Sequence, residues 1–171
     1  SSSGQERAIR TAYADAGIGP ETIELFEAHG TGTRVGDATE VDALTKVFAS
    51  SGRDGTWCAL GSVKSMIGHT KAAAGIAGLI KVVLALESKV LPPTIKVERP
   101  LSNLAPGSGP VYLNTHARPW SRPHGHPRRA ALSAFGFGGS NFHCVLEEHG
   151  SEKTNSDWSG DVIIAGASGQ D

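Results

Sequence analysis

Two histidines follow apolar stretches at comparable places in the chain. His29 stands in the segment EAHGTGT, residues 27–33, directly after a strand-like run that begins at Ile23. His69 stands in a second glycine-containing segment, and Lys64 precedes it by five residues. Both segments are predicted to be short loops between a buried strand and a helix, which can hold polar groups rigidly at the edge of a core. These two loops are therefore the candidate site.

The residue types in these loops suit acid–base or oxyanion chemistry. A neutral imidazole offers one donor and one acceptor, and its pKa lies near neutral pH. Two such rings, expected to lie close together and to face one cavity, could stabilise an oxyanion or an enolate, or relay a proton. Lys64 would add a positive charge that discourages protonation of His69.

Two other interpretations of the histidines remain open. Each ring could simply bond backbone carbonyls within its own loop, which requires no function. A metal pair is disfavoured, because no Asp, Glu or Cys stands at ligand spacing with either histidine.

A carboxylate shortly after the His29 loop also allows two interpretations. Asp37 and Glu40 form the pattern D-x-x-E, which is typical of a capping box and predicts a helix that begins at Asp37. Glu40 could instead pair with Lys64. Thr31 and Thr33 would place hydroxyls beside the first histidine, where they could bond an amide-bearing ligand. The glycine loops GTGT and GFGGSN lack the lysine of a P-loop, so they indicate phosphate binding only weakly.

The apolar pattern predicts helices and strands that alternate around these loops, which favours an α/β fold with a closing antiparallel hairpin. The helix after His69 is rich in alanine and glycine, so another element is expected to approach it closely and bury it. The predicted helices cover residues 5–16, 37–48 and 70–88, and the predicted strands cover residues 23–28, 57–63, 111–114, 128–134, 142–148 and 161–167.

Composition excludes several classes of function. Sixteen basic and seventeen acidic residues nearly cancel, so no strong field favours nucleic acid or an acidic membrane. No apolar run approaches about 18 residues without a charge, so no membrane span is expected and a cytoplasmic protein is the default. The 171 residues fit one domain. Cys58 and Cys144 lie in strand-like runs and are interpreted as small core residues rather than a disulfide or a ligand pair.

Four ordered stretches resemble the C-terminal half of a type I β-ketoacyl synthase domain, and they lie at Glu27–Asp37, Gly61–Lys81, Leu91–Thr94 and Ala134–Glu148. The resemblance is greatest to polyunsaturated-fatty-acid synthases and related iterative polyketide synthases, on the segments SNFH, LPPTIKVERP and YLNTHARPW. The resemblance implies a thiolase-like layered αβαβα fold, of which this chain carries the C-terminal half only. Residues 1–149 would form this part of the ketosynthase domain, and residues 150–171 a tail that starts a linker to a following acyltransferase domain.

The activity implied by the resemblance is decarboxylative Claisen condensation. Malonyl on an acyl carrier protein loses carbon dioxide, and the resulting carbanion attacks an acyl thioester held on a cysteine. His29 and His69 match the histidines that bind the malonyl thioester carbonyl and promote decarboxylation. Lys64 matches the lysine that organises this site, with Glu40 as its carboxylate partner.

The remaining roles implied by the resemblance concern the substrate arm and its access. Thr31 and Thr33 match positions that contact phosphopantetheine, and Phe137 matches a gating phenylalanine beside the nucleophile. No cofactor or metal is expected in the domain itself, since the substrates are carried on the phosphopantetheine of an acyl carrier protein.

The family's nucleophilic cysteine belongs to an upstream half, and neither Cys58 nor Cys144 matches it. The expected partners are therefore the acyl carrier protein, the N-terminal half that carries the cysteine, a second copy when the domain is complete, and an adjacent acyltransferase domain. The chain alone is expected to be inactive, and either to be unstable or to pair with a complementary half. The alternative is a non-catalytic fragment, or a subunit that sets chain length or serves as scaffold. A thiolase is disfavoured, because thiolases use one histidine and a second cysteine at these positions.

Overall fold

The computed structural model describes residues 1–105 and 107–149. The helices of this part are α1 (Ser2–Ala16), α2 (Arg34–Ala49), α3 (Lys64–Ile67) and α4 (Ala74–Ser88). Its strands are β1 (Leu25–Glu27), β2 (Cys58–Gly61), β3 (Val90–Leu91), β4 (Val111–Leu113), β5 (Arg118–Pro119), β6 (Arg129–Phe135) and β7 (Asn141–Glu147). Short 3-10 turns lie at Pro20–Thr22, Lys71–Ala73, Ser102–Leu104 and Phe137–Gly139.

Five strands form one sheet in the order β4-β2-β1-β6-β7, and β3 pairs with β5 separately. The strand β1 pairs in parallel with β2 on one side and with β6 on the other, so that Glu27 lies opposite both Gly61 and Leu132. The strand β7 returns antiparallel to β6. The carboxyl ends of β1, β2 and β6 therefore open at the same edge of the sheet.

Helices cover both faces of this sheet. On one face, α1 and α2 pack in a cluster that also contains residues from the strands: Ile9, Tyr13, Phe26, Val41, Leu44, Phe48, Leu60, Val111 and Ala131. On the other face, α4 packs in a second cluster: Leu25, Ala59, Val82, Ala85, Leu86, Trp120, Ala130 and Leu132. The predicted α/β layering with a closing antiparallel hairpin is confirmed.

The outward side of α4 differs from the prediction of a buried helix. It presents apolar side chains at Ile76, Ile80, Val83 and Leu84, each about half exposed, and this group is called the α4 apolar face. The opposite side has small residues where it meets the sheet. A Cβ placed on Gly75 would lie 3.5 Å from the Cβ of Ala134.

Several predicted boundaries shift in the structure. The helix α1 begins at Ser2 instead of residue 5, and it ends at Ala16, followed by the capping residue Gly17, whose φ of 65° favours glycine. The helix α2 begins at Arg34 instead of Asp37, so the capping-box interpretation is wrong: the carboxylate of Glu40 lies in the second turn and not at the mouth. The short pair β3 and β5 was not predicted, because two-residue strands carry no readable alternation.

Two further expectations concern single segments. Cys58 is buried as expected, but Cys144, on the edge strand β7, is exposed, so its interpretation as a core residue is wrong. The strand predicted over residues 161–167 lies outside the described residues. Within residues 1–105 and 107–149, the helices are too short or too polar to cross a membrane.

A histidine packs among aromatic rings beneath α1. The ring of His143 stacks on Phe26 with centroids 5.4 Å apart and meets Tyr13 edge-on at 5.3 Å. Its Nδ1 lies 2.9 Å from the hydroxyl of Ser133. Burial lowers the pKa of His143 to about 3, so the folded protein holds this ring neutral.

This burial predicts a loss of stability in mild acid. An unfolded histidine takes up a proton near pH 6.5, whereas the folded ring does so only near pH 3. The stability that this group contributes is therefore present above about pH 6.5 and is lost as the pH falls toward 3, by up to about 1.4 kcal/mol per pH unit. In urea titrations at pH 7, 6 and 5, His143→Phe should lower stability at every pH but show a shallower pH dependence. Equal slopes for both proteins would contradict the assignment.

Candidate functional site

The two predicted loops begin side by side at the ends of β1 and β2. The N–H of Ala28 donates to the carbonyl of Gly61 at 2.7 Å, and the hydroxyl of Ser62 donates to the carbonyl of Gly30 at 3.3 Å. Gly30 has a φ of 44°, and a Cβ there would lie 2.7 Å from the Cβ of Ser62. Only glycine at this position lets the loops approach so closely.

The structure brings the two histidine rings together. The centroids of His29 and His69 are 5.7 Å apart, and the ring planes are nearly perpendicular at 86°. His29 is half-buried and also lies 5.9 Å from the ring of Phe135 at the end of β6. His69 is exposed. Sequence reasoning missed Phe135, although it precedes the GFGG turn directly.

The orientation of His69 is set by its own turn. Its Nδ1 accepts a hydrogen bond from the backbone N–H of Lys71 at 3.0 Å. Gly68 and Lys71 have φ values of 77° and 55°, which bend the chain around the ring. Because Nδ1 is an acceptor, a neutral ring carries its proton on Nε2. This N–H is the donor that His69 can present to a ligand.

His29 is held neutral. Burial, then the positive charge of Lys64, then His69 lower the pKa of His29 to about 4. The charge of Lys64 thus acts on His29, an effect that the sequence did not predict. The Nδ1 atom of His29 is buried and has no hydrogen-bond partner among the described residues.

Lys64 lies at the first position of α3, not in a loop. Burial lowers the pKa of its ammonium group, while the nearby carboxylates of Glu27 and Glu40 oppose this shift. The ion pairs within 4.0 Å in the described part of the chain do not include one between Lys64 and Glu40. The two groups therefore interact through space rather than in direct contact.

The carboxylate of Glu40 holds the backbone of the first loop. It is 4% exposed, and its two oxygens accept the N–H groups of His29 at 2.7 Å and of Gly30 at 2.9 Å. Burial, opposed by the two N–H donors and aided by the charge of Asp37, raises the pKa of Glu40 to about 7. Glu40 thus fixes the loop that carries the ring.

The two threonines of this loop lie at the surface. Thr31 and Thr33 are exposed, and their hydroxyl oxygens are 3.1 Å apart. A cavity of about 610 Å³ adjoins Thr31, and its lining includes the cations Lys64, Arg34, Lys96 and Arg99 and the carboxylates Asp37 and Glu40. Neither histidine is among the residues that line this cavity, so the expectation that both rings face one shared cavity stays a prediction.

The GFGG turn follows β6 and therefore lies at the same edge of the sheet. Phe137 begins its 3-10 turn two residues after β6 ends. The side chain of Phe137 lies outside the described part of the structure.

Neither cysteine resembles an activated nucleophile. Cys58 is fully buried in β2, which raises the pKa of its thiol well above the usual value, and Cys144 lies on an edge strand away from a helix N-terminus. Among residues 1–105 and 107–149, no three His, Cys, Asp or Glu side chains lie close enough together to hold a metal ion.

Comparison with known sequences agrees with the motifs. The chain is 52% identical over 151 residues to a polyunsaturated fatty acid synthase protein of Thraustochytrium sp., a match that covers 85% of this chain and 5% of that protein. It is 47% identical over 146 residues to polyketide synthase PksL of Bacillus subtilis, covering 85% of this chain and 3% of that protein.

Solved ketosynthase structures share the fold. The ketosynthase from module 6 of the bacillaene synthase of B. subtilis has a TM-score of 0.84 and 45% identity, and the match covers 90% of this chain and 27% of that one. Ketosynthase twelve of the bacillaene synthase of Bacillus amyloliquefaciens gives a TM-score of 0.82 and 40% identity, covering 88% and 27%. The predicted thiolase-like α/β fold is therefore confirmed, and the chain spans about a quarter of each structure.

The sequence model described as "Beta-ketoacyl synthase, C-terminal domain" matches residues 1–98, more than half of the chain, including both histidines and Lys64. The chain belongs to the family of β-ketoacyl synthase C-terminal domains.

Proposed function

We propose that this chain supplies the decarboxylation half of a β-ketoacyl synthase active site, in a synthase that makes polyketides or fatty acids. The observation that carries the proposal is the perpendicular pair of His29 and His69, with centroids 5.7 Å apart at the edge of the sheet. The pKa of His29 near 4 keeps that ring neutral at pH 7, so it can donate a hydrogen bond without being an acid.

The two imidazoles would act on the malonyl thioester. The bond between the carboxylate carbon and the α-carbon breaks, and carbon dioxide leaves. The electron pair of that bond stays with the α-carbon and forms the enolate. Donor N–H groups of His29 and His69 stabilise the negative charge on the thioester oxygen. The α-carbon then attacks an acyl thioester on a cysteine of the N-terminal half, and the cysteine thiolate leaves.

Other residues would position the substrate arm. The exposed hydroxyls of Thr31 and Thr33 are available to the amide groups of phosphopantetheine on an acyl carrier protein. Glu40 would keep the His29 loop in place, Lys64 would keep His29 neutral, and Phe137 would gate access to the nucleophile. This chemistry requires no cofactor or metal within the chain.

We further propose that residues 1–149 form the C-terminal part of the ketosynthase domain, because β7 ends at Glu147. Residues 150–171 would begin a linker to an acyltransferase domain, in a cytoplasmic synthase that dimerises when complete. Because Cys58 is buried and Cys144 lies on an edge strand, the acyl-accepting cysteine is assigned to the N-terminal half, and the chain alone is expected to be inactive.

The α4 apolar face suits that N-terminal half as its partner. A groove of about 570 Å³ runs beside the face and is lined largely by apolar residues, including Ile67, Ile80 and Leu84. The chain covers only about 27% of the ketosynthase structures that it matches, so the rest of such a domain is available to cover this surface.

Removal of either histidine should abolish most decarboxylation. In the complete domain, His29→Ala and His69→Ala should each lower release of labelled carbon dioxide from malonyl-carrier protein by about 100-fold or more, the typical effect of losing one oxyanion donor. His116→Ala is the control, since this histidine is exposed and bonds only Thr115 among the described residues. Variants within threefold of wild type would contradict the proposal and favour a scaffold or chain-length role.

Removal of the lysine charge should raise the pKa of His29. Burial is the larger cause of the low value and Lys64 the second, so Lys64→Met should move the pKa only part of the way from about 4 toward 6.5. Decarboxylation should consequently begin to fail at a higher pH than in wild type. The check is an NMR titration of the histidine, together with the acid limb of the rate profile. An unchanged titration would show that the lysine does not act on this ring.

The isolated chain should gain stability from its partner half. Addition of the cysteine-bearing half should raise the melting temperature and yield a stable complex. Ile80→Glu should weaken that complex by about 10-fold or more, because burial of an isoleucine contributes about 1.5–3 kcal/mol. Val35→Glu is the control, an exposed apolar residue at the first turn of α2. A sharp melt of the monomer that the partner does not change would contradict this assignment.

A further inference from the structure

A buried carboxylate connects the two halves of the site. Glu27 is the last residue of β1, precedes His29 by two positions and is 2% exposed. One carboxylate oxygen accepts the backbone N–H of Val63, which directly precedes Lys64. The other oxygen lies 2.7 Å from the ammonium nitrogen of Lys81 on α4.

Two glycines pack so closely against this ion pair that a side chain at either position would crowd it. A Cβ on Gly78 would lie 3.2 Å from Cγ of Glu27, and a Cβ on Gly61 would lie 3.3 Å from Nζ of Lys81. Glycines on α4 and β2 therefore make space for the two charged side chains. The pair differs in this respect from the exposed pair of Asp42 and Lys46, whose side chains are both about half accessible.

Stability alone does not explain such a pair. Two charges that are both nearly buried lose much of their hydration, so a buried ion pair contributes little net stability compared with apolar residues of the same size. The burial of Glu27 raises its pKa, and the charge of Lys81 opposes that shift. What the pair does supply is a fixed geometry, because each carboxylate oxygen has its own donor on a different element.

We propose that the ion pair of Glu27 and Lys81 is a positioning device for decarboxylation. By joining the end of β1 to the start of α3 and to α4, it sets the separation between the His29 loop and the segment that carries Lys64 and His69. This inference rests on the proposed function. Neither Glu27 nor Lys81 touches the substrate in this role.

The test uses the complete ketosynthase domain that contains this chain. Glu27→Gln/Lys81→Met removes both charges while keeping side chains of similar size. The exposed pair offers a matched control, Asp42→Asn/Lys46→Met. For a positioning role, the first variant should remain folded and lose at least 10-fold in kcat for decarboxylation of malonyl-carrier protein, with KM within twofold of wild type. The pKa of His29, read by NMR, should rise measurably toward 6.5 as Lys64 moves away. The control should change neither quantity.

A milder pair of variants covers the case in which the double variant does not fold. Gly78→Ala should displace the carboxylate of Glu27 by a few tenths of an ångström, whereas Gly75→Ala meets Ala134 at an ordinary contact distance of 3.5 Å. Both changes replace a helical glycine with alanine, which favours the helix. Gly78→Ala should lower kcat at least threefold and shift the His29 titration, and Gly75→Ala should do neither.

Two results would overturn the inference. One is a folded double variant, or a Gly78→Ala variant, with wild-type kcat and an unchanged His29 titration, which would leave the ion pair a structural role only. The other is a loss of kcat without any change in the titration. A wild-type domain that does not decarboxylate would instead refute the proposed function, while the His29 titration would still test the geometry.

Discussion

The parallel pairing of β1 with both β2 and β6 is the constraint on which the site depends. Parallel strands end at the same edge of a sheet, so the residues that follow them become neighbours whatever their separation in sequence. Glu27 lies opposite both Gly61 and Leu132, which aligns the ends of the three strands. Because β1 is the central strand, its loop has a neighbour on each side. The ring of His29 therefore lies next to the ring of His69, which follows α3, and next to the ring of Phe135 at the end of β6.

Burial shifts the pKa values of His29 and Glu40 in opposite directions, and each shift favours the neutral form of the group. Desolvation penalises the charged form, which lowers the pKa of His29 to about 4 and raises that of Glu40 to about 7. A carboxylate that accepts a hydrogen bond from an imidazole would favour the imidazolium. Here both oxygens of Glu40 are occupied by backbone N–H groups, so the carboxylate holds the loop without charging the ring. The site therefore suits hydrogen-bond donation to an oxyanion rather than storage of a proton.

Local sequence patterns predicted most of the helices and strands, but they did not predict the contacts between residues that are distant in sequence. The apolar runs indicated β1, β2, β6 and β7 and the three long helices, and the family motifs indicated which loops meet. The spacing of Asp37 and Glu40 led to the wrong prediction of a capping box. Their carboxylates bond backbone groups of the preceding loop, and α2 begins earlier, at Arg34. The link between Glu27 and Lys81 spans 54 residues, and nothing in either local pattern indicates it. The prediction of a strand was right for β7, but no sequence pattern showed that Cys144 on this edge strand is exposed.

The helix α4 is apolar on both its sheet side and its outward side, unlike an ordinary surface helix. Its sheet side carries glycines that allow close approach, so that Gly78 packs against the side chain of Glu27. Its outward side carries Ile76, Ile80, Val83 and Leu84, a helical stripe of the kind that normally faces a core. A helix that is apolar all round is suited to burial between two layers, which is the position a thiolase-like layered fold provides. Since the same helix extends Lys81 to the end of β1, the packing of its two sides and the geometry of the histidine site are connected through one element.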